Sequence, residues 1–289
     1  MNKQAIWFVV NPFSGSKNKH SEIVKLIDSQ LDKQLYLPEI HYTEYAGHAT
    51  EIAADAVKKN ISIVVAIGGD GTVNEIGKAL INTKIALGII PTGSGNGLAR
   101  ELEIPMKAKE AIESLNTPIM KQIDVCFVNE IPFFCTAGIG FDAHCAEMFS
   151  KKKGRGLINY VKVGFTEFWK HKPLKCVFGG NNYEIFSITF GNACQFGNDA
   201  YITPTAIIDD GLIDCTIIHP PSAWQALSMI AKLFNGNIHS SELSENYRGT
   251  KFMLKTEQDI LIHYDGEPLR LNSNELTVSI LEKSLRIMI

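Results

Sequence analysis

The stretch from Ile61 to Leu80, ISIVVAIGGDGTVNEIGKAL, decides the fold of this chain. Residues 61–67 are apolar and rich in β-branched side chains, which predicts a strand buried on both faces. Gly68-Gly69-Asp70-Gly71 ends that strand, and Thr72 with Glu75 three residues later has the spacing of a helix capping box. A strand, a glycine turn and a helix start together predict a loop whose backbone N–H groups bind phosphate.

A second glycine loop, Pro91-Thr92-Gly93-Ser94-Gly95-Asn96-Gly97, follows the apolar run at 85–90 and precedes a helical Leu98-Ala99-Arg100. Two such loops at the carboxyl ends of two strands fit one nucleotide in a crevice. Neither loop matches the P-loop pattern or the dinucleotide-binding glycine pattern. The phosphate-binding prediction therefore rests on the chemistry of the loops.

The order of predicted elements divides the chain into two domains. Strands and helices alternate in the first part, which predicts a parallel sheet with right-handed crossovers. After Pro118, short strands joined by turns predict an antiparallel, sandwich-like domain. The predicted fold is a three-layer α/β nucleotide-binding domain at 1–121 and an all-β, antiparallel β-sandwich-like domain at 122–289. Whether the last strand returns to the first domain stays open.

Three local predictions concern the second part of the chain. Residues 122–127 and 133–137 are predicted to form a hairpin around Asn129-Glu130. Residues 184–190 are predicted to form one strand, and two long helical stretches are predicted at 157–170 and 223–235.

Composition narrows the class of protein. The chain has 289 residues and a formal net charge of −3, which gives no signal for a nucleic-acid partner. Its six cysteines are scattered without a C-x-x-C pair, which argues against a zinc site or a disulfide framework and favours a reducing cytoplasm. No apolar run approaches the ~20 residues that a membrane span needs. The sequence leaves open whether the protein forms a homodimer.

The two glycine loops carry a resemblance to a known family. Gly68-Gly69-Asp70-Gly71-Thr72 followed by Asn74-Glu75 resembles the signature of the diacylglycerol kinase catalytic-domain family, which includes bacterial lipid kinases and sphingosine kinases. The shorter GGDGT is shared with NAD kinases. The resemblance implies transfer of a phosphoryl group from ATP, with Mg²⁺, to a lipid hydroxyl. The nucleotide-binding residues that it implies are Asn11, Thr43, Gly68, Gly69, Asp70, Gly71, Thr72, Asn74, Glu75, Gly93, Ser94 and Asn96.

An acidic turn is the candidate metal site. Asp209-Asp210-Gly211-Leu212-Ile213-Asp214 places three acids within six residues, and hard cations prefer oxygen ligands. From the residues alone, a turn with solvated aspartates is the favoured interpretation. The resemblance instead implies a magnesium segment, with the Asp210 side chain and the carbonyls of Ile207 and Leu212 as ligands. Asp124 and Asp70 match further acids of the family's metal-and-water network.

The candidate catalytic base lies in His263-Tyr264-Asp265-Gly266-Glu267-Pro268, which on composition is a β-turn with two acids. It resembles the family's Asp-Gly-Glu-Pro motif, in which an acid accepts the proton of the lipid hydroxyl. We expect Glu267 to be that base, with Asp265 as its partner or rival. Asp70 completes the predicted catalytic set.

The segment from Lys151 to Lys172 carries seven basic residues, one acid and several aromatic side chains, which is typical of an interfacial anchor for anionic lipid. A helix that packs its apolar face on the second domain explains the same pattern. The leading interpretation is a cytoplasmic lipid kinase, peripherally attached to a membrane, that acts on diacylglycerol, a sphingoid or ceramide-like lipid, or phosphatidylglycerol. The alternatives are an NAD kinase-like small-molecule kinase and a catalytically weak lipid- or nucleotide-binding regulator.

Overall fold

The structure, a computed structural model, describes residues 3–14, 17–151 and 164–289. The chain forms two compact units, one of residues 1–123 and 283–289 and the other of residues 124–282. Of the predicted helix at 157–170, residues 157–163 lie outside the described residues, and the described part is helical at 164–168. Of the basic segment from Lys151 to Lys172, residues 152–163 lie outside the described residues. None of the described helices is long and apolar enough to cross a bilayer.

The first unit is a parallel α/β sheet in the order β2-β1-β3-β4. Right-handed crossovers place α1 on one face and α2 and α3 on the other, and the contacts agree, since α1 packs with α5 and α2 with α3. Its elements are β1 (Gln4–Val10), α1 (Lys17–Gln30), β2 (Tyr36–Tyr42), α2 (His48–Lys58), β3 (Ile63–Gly68), α3 (Asp70–Leu80), β4 (Ala86–Pro91), α4 (Gly97–Glu101) and α5 (Ala108–Ser114).

Burial explains why β3 and β4 are the central strands. Every residue of both strands is buried, as their unbroken apolar sequences predict. The far end of the chain completes this sheet, because Arg286 and Ile287 pair in parallel with Ala86 and Leu87 of β4.

The second unit contains two antiparallel sheets. One has the order β12-β11-β10-β7-β14-β15, and the other contains β13, β8 and β9. Two strands, β5 and β16, have residues in both units. The elements of this part of the chain are β5 (Met120–Val128), β6 (Ile131–Phe133), β7 (Thr136–Gly140), α6 (Phe141–Ser150), β8 (Leu174–Phe178), β9 (Asn181–Ile185), β10 (Ser187–Gly191), β11 (Ile213–Ile218), α7 (Ala223–Phe234), a 3₁₀ turn (Ile238–Ser240), β12 (Ser244–Gly249), β13 (Lys251–Thr256), β14 (Leu261–Tyr264), β15 (Glu267–Arg270) and β16 (Glu275–Met288).

One apolar core joins the two sheets. Ile139, Ile188 and Cys215 of the first sheet lie in the same buried cluster as Phe178 and Leu254 of the second. Sheets that share a core in this way form a sandwich. The α/β unit and the antiparallel unit together confirm the predicted fold class.

Two local predictions have wrong strand bounds. The hairpin around Asn129-Glu130 is confirmed, since β5 pairs with β6, but its second strand is 131–133 and not 133–137, because after Phe134 and Cys135 the chain enters the other sheet as β7. The predicted single strand at 184–190 is two strands, β9 and β10, which belong to different sheets and are separated by Phe186. In both places the chain changes sheets, and the alternation of apolar residues does not report such a change.

Candidate active site

Polar side chains from three strand ends meet in the first unit. Asn11 follows β1; its Oδ1 accepts the N–H of Phe13 at 2.9 Å, and its Nδ2 donates to Thr72 Oγ1 at 3.0 Å. The hydroxyl of Ser14 lies 2.9 Å from that of Thr92, which follows β4. The carboxyl ends of β1, β3 and β4 are therefore connected by hydrogen bonds, and their donors and hydroxyls are concentrated at one edge of the sheet.

The two glycine loops pack backbone against backbone. A Cβ built on Gly93 would lie 2.6 Å from the Cα of Gly69, so the loops could not approach this closely with side chains there. A Cβ on Gly68 would overlap the side chain of Thr72. The missing side chains leave room for backbone N–H groups to reach a phosphate, which is the function that the sequence predicts for the loops.

The start of α3 differs from the prediction. The helix begins at Asp70 after an extended Gly69, and no described side chain caps it. Thr72 lies inside the first turn, and the Glu75 carboxylate instead accepts the N–H groups of Gly47 at 2.9 Å and Ala49 at 3.2 Å. The predicted capping box is wrong, because Glu75 stabilises the start of α2. The first N–H groups of α3 have no intrahelical acceptor, and such a helix end attracts anions.

Asp70 connects the two loops. Its Oδ2 accepts the N–H of Asn96 at 2.8 Å, and its Oδ1 accepts the N–H of Gly97 at 2.6 Å, so the carboxylate caps α4. Burial raises the pKa of Asp70, and the N–H groups of Gly97 and Asn96 partly offset this rise. A Cβ on Gly95 would lie 2.7 Å from Asp70 Oδ2. The glycine-rich second loop therefore fits closely around this acid.

The other predicted nucleotide residues occupy the same edge of the sheet, with different exposure. Thr43 and Asn74 are buried, and the Thr43 N–H donates to the Val10 carbonyl at 2.9 Å. Asn96 holds the second loop in shape by accepting the Gly93 N–H at 3.0 Å. Its amide also donates to the Gly93 carbonyl at 2.9 Å. Ser94 is exposed. Ser14 and Thr92 were not predicted as site residues, although Thr92 follows the predicted strand at 85–90 and its position could have indicated it.

In the second unit, the predicted metal-site acids converge. Asp124 is fully buried, and its Oδ2 accepts the N–H of Gly211 at 2.7 Å from the acidic turn. Burial, followed by the charges of Asp124, Asp265 and Asp210, raises the pKa of the Cys126 thiol. The negative charges of acids from three distant parts of the sequence thus act on one buried thiol.

Arg248 is a site residue that sequence reasoning missed. Its guanidinium donates to Asp210 Oδ2 at 2.6 Å and to Asp214 Oδ2 at 2.9 Å, which bridges the two acids at the ends of the turn. The second Asp214 oxygen accepts the Thr205 hydroxyl at 2.6 Å. A lone arginine on a strand that was not predicted gave no signal. In this arrangement Arg248 neutralises part of the negative charge around Asp210.

The donor set is compatible in chemistry with Mg²⁺. The carboxylates of Asp124 and Asp210 and the carbonyls of Ile207 and Leu212 are all hard oxygens on one turn and its neighbouring strand, the kind that this ion prefers. Among the described residues no group of three His, Cys, Asp or Glu side chains is placed to hold a metal by itself. Carbonyl ligands, or water and phosphate oxygens, would have to complete the coordination.

Asp265 has a structural role that its sequence context did not reveal. It lies in a two-residue turn with Gly266 between β14 and β15, and both residues have positive φ, 45° and 85°. Its carboxylate accepts three backbone N–H groups, those of Phe134 (2.9 Å), Cys135 (2.8 Å) and Thr136 (3.3 Å). Those residues are the segment where the chain changes sheets.

Glu267 contrasts with Asp265. It is exposed at the start of β15, opposite Tyr264, and its carboxylate has no hydrogen-bond or ion-pair partner in the described part of the chain. Its oxygens are therefore available to a substrate, whereas those of Asp265 are committed to the backbone. Of the two candidate bases, the geometry favours Glu267.

Two buried polar groups beside this turn were also missed. Asn192 donates through Nδ2 to the carbonyls of Asp124 and Phe134, both at 3.0 Å, and so connects the acidic site to the Asp265 turn. Asp142 Oδ2 accepts the Thr189 hydroxyl at 2.5 Å and lies 3.5 Å from His263 Nε2. Asp142 Oδ1 and His263 Nε2 have no hydrogen-bond partner within the described ranges.

Comparison with known proteins identifies the family. Residues 5–128 match the diacylglycerol kinase catalytic domain, and residues 135–289 match the YegS C-terminal NAD kinase beta sandwich-like domain. A probable lipid kinase YegS-like of Chromohalobacter salexigens is 30% identical over 240 residues, which cover 79% of this chain and 77% of that protein. The chain belongs to the diacylglycerol kinase catalytic-domain family. The resemblance inferred from the glycine loops is thus confirmed.

Further proteins and solved structures are similar to this chain. Lipid kinase YegS of Escherichia coli K12 is 28% identical over 258 residues, 86% of this chain and 84% of that protein. A Synechocystis protein is 28% identical over 292 residues, which cover 92% of this chain but 62% of that longer protein. The fold is similar to a Bacillus anthracis diacylglycerol kinase structure (TM-score 0.72, 19% identity, 99% and 97% of the two chains). It is also similar to yeast NADH kinase complexed with NADH (TM-score 0.52, 12% identity, 100% and 83%).

Proposed function

We propose that this member of the diacylglycerol kinase catalytic-domain family transfers the γ-phosphoryl group of ATP to the hydroxyl of a membrane lipid. Diacylglycerol is the first candidate acceptor, and a sphingoid or ceramide-like lipid and phosphatidylglycerol are the others. The observation that carries the proposal is the uncapped start of α3, held between two glycine loops that pack backbone against backbone.

In the proposed reaction the first unit binds the phosphates of ATP. The N–H groups of Gly71 and Thr72 at the start of α3 are available to phosphate oxygens, since they lie in the first turn of the helix. The amide of Asn11 adds a further donor at the same edge, beside the hydroxyls of Ser14, which donates to the Asn11 carbonyl, and Thr92. Asp70 acts here as a positioning residue, because both of its oxygens fix the second loop.

In the second unit, Asp124 and Asp210 would hold the magnesium ion with the carbonyls of Ile207 and Leu212. When bound, the ion neutralises charge that develops on the transferred phosphoryl group. Arg248 donates to Asp210 and so limits the negative charge that the site would present to the ion.

Glu267 is the proposed general base for the acceptor hydroxyl. A base must offer a free oxygen within hydrogen-bond reach of the proton that it removes, and Glu267 has no partner among the described residues. Asp265 fixes the backbone two residues before it through three N–H groups. We therefore assign proton acceptance to Glu267 and orientation of the turn to Asp265.

A transfer assay tests this proposal and its rivals together. The chain is incubated with γ-labelled ATP, Mg²⁺ and a panel of diacylglycerol, sphingosine, ceramide, phosphatidylglycerol and NAD, and the labelled products are separated. We expect one lipid to be labelled and Glu267→Gln to abolish the labelling. Labelled NAD would instead support the NAD kinase-like alternative, which the fold likeness to NADH kinase keeps in view. Nucleotide binding without any labelled product would favour a regulator.

A further inference from the structure

Helix α7 presents an apolar face to solvent. None of its twelve residues is buried, and Trp224, Leu227 and Ile230 are 83%, 55% and 46% exposed. Residues spaced by three lie on one side of a helix, so these three side chains form a continuous stripe. Large apolar side chains grouped in this way on a surface mark an interaction site.

The other side of α7 fixes the helix to the protein. Met229 and Leu233 pack on a small core that contains Phe186 and Ile218. Ser222 and Gln225 form a capping box, with the Ser222 N–H donating to Gln225 Oε1 at 2.9 Å. The helix is therefore stabilised independently of any partner, and its exposed stripe is not simply a poorly packed core face.

The stretch of sequence that contains α7 has no acidic residue. No acidic residue occurs between Asp214 and Glu242, and Lys232 is the one charged residue of α7. Phe168 packs on the same small core as Met229 and Leu233, so the segment that contains Phe168 shares this core with α7.

The segment around Phe168 adds exposed aromatic and basic side chains. Phe165 and Trp169 are 63% and 66% exposed, and Lys170 and Lys172 follow directly in the sequence. Lys172 is exposed, and Lys170 pairs with Glu167 at 3.0 Å. The surface thus combines exposed aromatic and aliphatic side chains with positive charge, which complements an anionic lipid surface.

We propose that α7 lies in the headgroup region of an anionic bilayer, with Trp224, Leu227 and Ile230 in the outer acyl layer. The stripe is a convex ridge, which a fluid acyl layer accommodates without the matching groove that a protein partner needs. A tryptophan at one end of the stripe is typical of interfacial helices. The inference rests on the proposed lipid kinase function for its biological purpose, because a lipid kinase must reach a substrate held in a membrane.

Vesicle binding of the full chain is the first test. The chain is centrifuged with sucrose-loaded vesicles of phosphatidylcholine, or of phosphatidylcholine mixed with phosphatidylglycerol. We expect binding to the anionic vesicles, and Leu227→Glu should weaken it roughly 10- to 100-fold, the contribution of one leucine side chain moved out of water. Met253→Glu is the matched control, since Met253 is 63% exposed on β13 and receives the same charge change.

Tryptophan fluorescence reports the position of the stripe. The chain has three tryptophans, of which Trp7 is buried and Trp169 is exposed, so Trp169→Phe leaves Trp224 as the solvent-facing reporter. In that variant we expect a blue shift with anionic vesicles and quenching by brominated acyl chains. Equal binding of Leu227→Glu and wild type, or an unquenched Trp224, would overturn the proposal.

Two further measurements identify what covers the stripe and whether the kinase reaction depends on it. Sedimentation that reveals a dimer in wild type and a monomer in Leu227→Glu, without any vesicle binding, would identify a second copy as the occupant and overturn the bilayer. Turnover is measured on short-chain diacylglycerol dispersed in detergent, where Leu227→Glu should equal wild type. If wild type binds vesicles but phosphorylates no lipid, the proposed function is refuted, whereas the proposal that α7 binds an anionic bilayer is still supported.

Discussion

Replacing Asp265 with asparagine tests the structural role of this residue separately from the catalytic role proposed for Glu267 in the turn between β14 and β15. Asparagine also accepts a left-handed backbone, so the φ of 45° at this position is retained. The amide oxygen of asparagine can still accept hydrogen bonds from the N–H groups of Cys135 and Thr136. The amide nitrogen takes the place of Oδ2 and faces the N–H of Phe134. The substitution therefore places one donor against another at the segment where the chain changes sheets.

The expected cost follows from these three contacts. A hydrogen bond to a charged acceptor contributes ~1.5–3 kcal/mol, and the Phe134 bond is lost entirely. The other two bonds become neutral and keep about half of their strength. These losses sum to roughly 3–6 kcal/mol, and we expect Asp265→Asn to lower the free energy of unfolding by about 3 kcal/mol, the lower end, because Asp265 is partly exposed to solvent. This corresponds to roughly 6–12 °C in the melting temperature of a domain of this size.

Thermal unfolding by calorimetry or circular dichroism measures this change. The matched control is Glu267→Gln, two residues away. The Glu267 carboxylate has no partner among the described residues, so the melting temperature of this variant should equal that of wild type. If Asp265→Asn melts at the wild-type temperature, the carboxylate does not hold the segment at Phe134 and the division of roles is wrong.

Glu267→Gln should lower lipid phosphorylation ~100-fold or more with unchanged substrate affinity, because a general base contributes at least this factor; retained turnover in a steady-state assay would place the base elsewhere. Gly93→Ala puts a Cβ 2.6 Å from the Gly69 Cα, so the loops must separate. We expect a loss of about 1–3 kcal/mol in stability and weaker ATP binding in titration calorimetry, and wild-type affinity would show that close loop packing is dispensable. Cys194 is the one cysteine that is not buried, whereas burial raises the pKa of Cys176 to about 11. Iodoacetamide should modify Cys194 first, as read by peptide mass spectrometry. Equal modification of Cys194 and Cys176 near neutral pH would contradict the burial of Cys176. Because the pKa of Cys176 is higher in the folded protein than in the unfolded chain, the contribution of this thiol to stability is lost as the pH rises towards 11.

The parts of the site that follow strand ends could be predicted from the sequence. An unbroken apolar run gives a buried strand, and glycines directly after it give a loop at the sheet edge, so the positions of Gly69 and Gly93 follow from local pattern. Their mutual packing did not follow, because it depends on which strands are neighbours. The same reason explains the incorrect capping box: Glu75 caps α2, a helix that is adjacent in space and earlier in the sequence.

The second unit was less predictable because its site is built from distant residues. Asp124 meets the Gly211 N–H, Arg248 bridges two acids of the turn, and Asp265 holds Phe134. None of these pairs has a local pattern, and each requires the strand pairing of the sandwich to be known. The family resemblance supplied the acids as candidates, but it did not distinguish the roles proposed for Asp265, which orients the turn, and Glu267, which accepts the proton.

Strand β16 makes the first unit dependent on residues synthesised long after the rest of it. Residues 283–289 belong to that unit, where Arg286 and Ile287 pair with β4 and Ile289 exchanges two hydrogen bonds with Ile119. During translation the edge of β4 therefore stays open until the whole second unit has left the ribosome, a period in which it can pair with other chains. A fragment that stops at residue 123 would keep this open edge permanently, so work on the isolated first unit calls for a circular permutant that joins 283–289 ahead of β1.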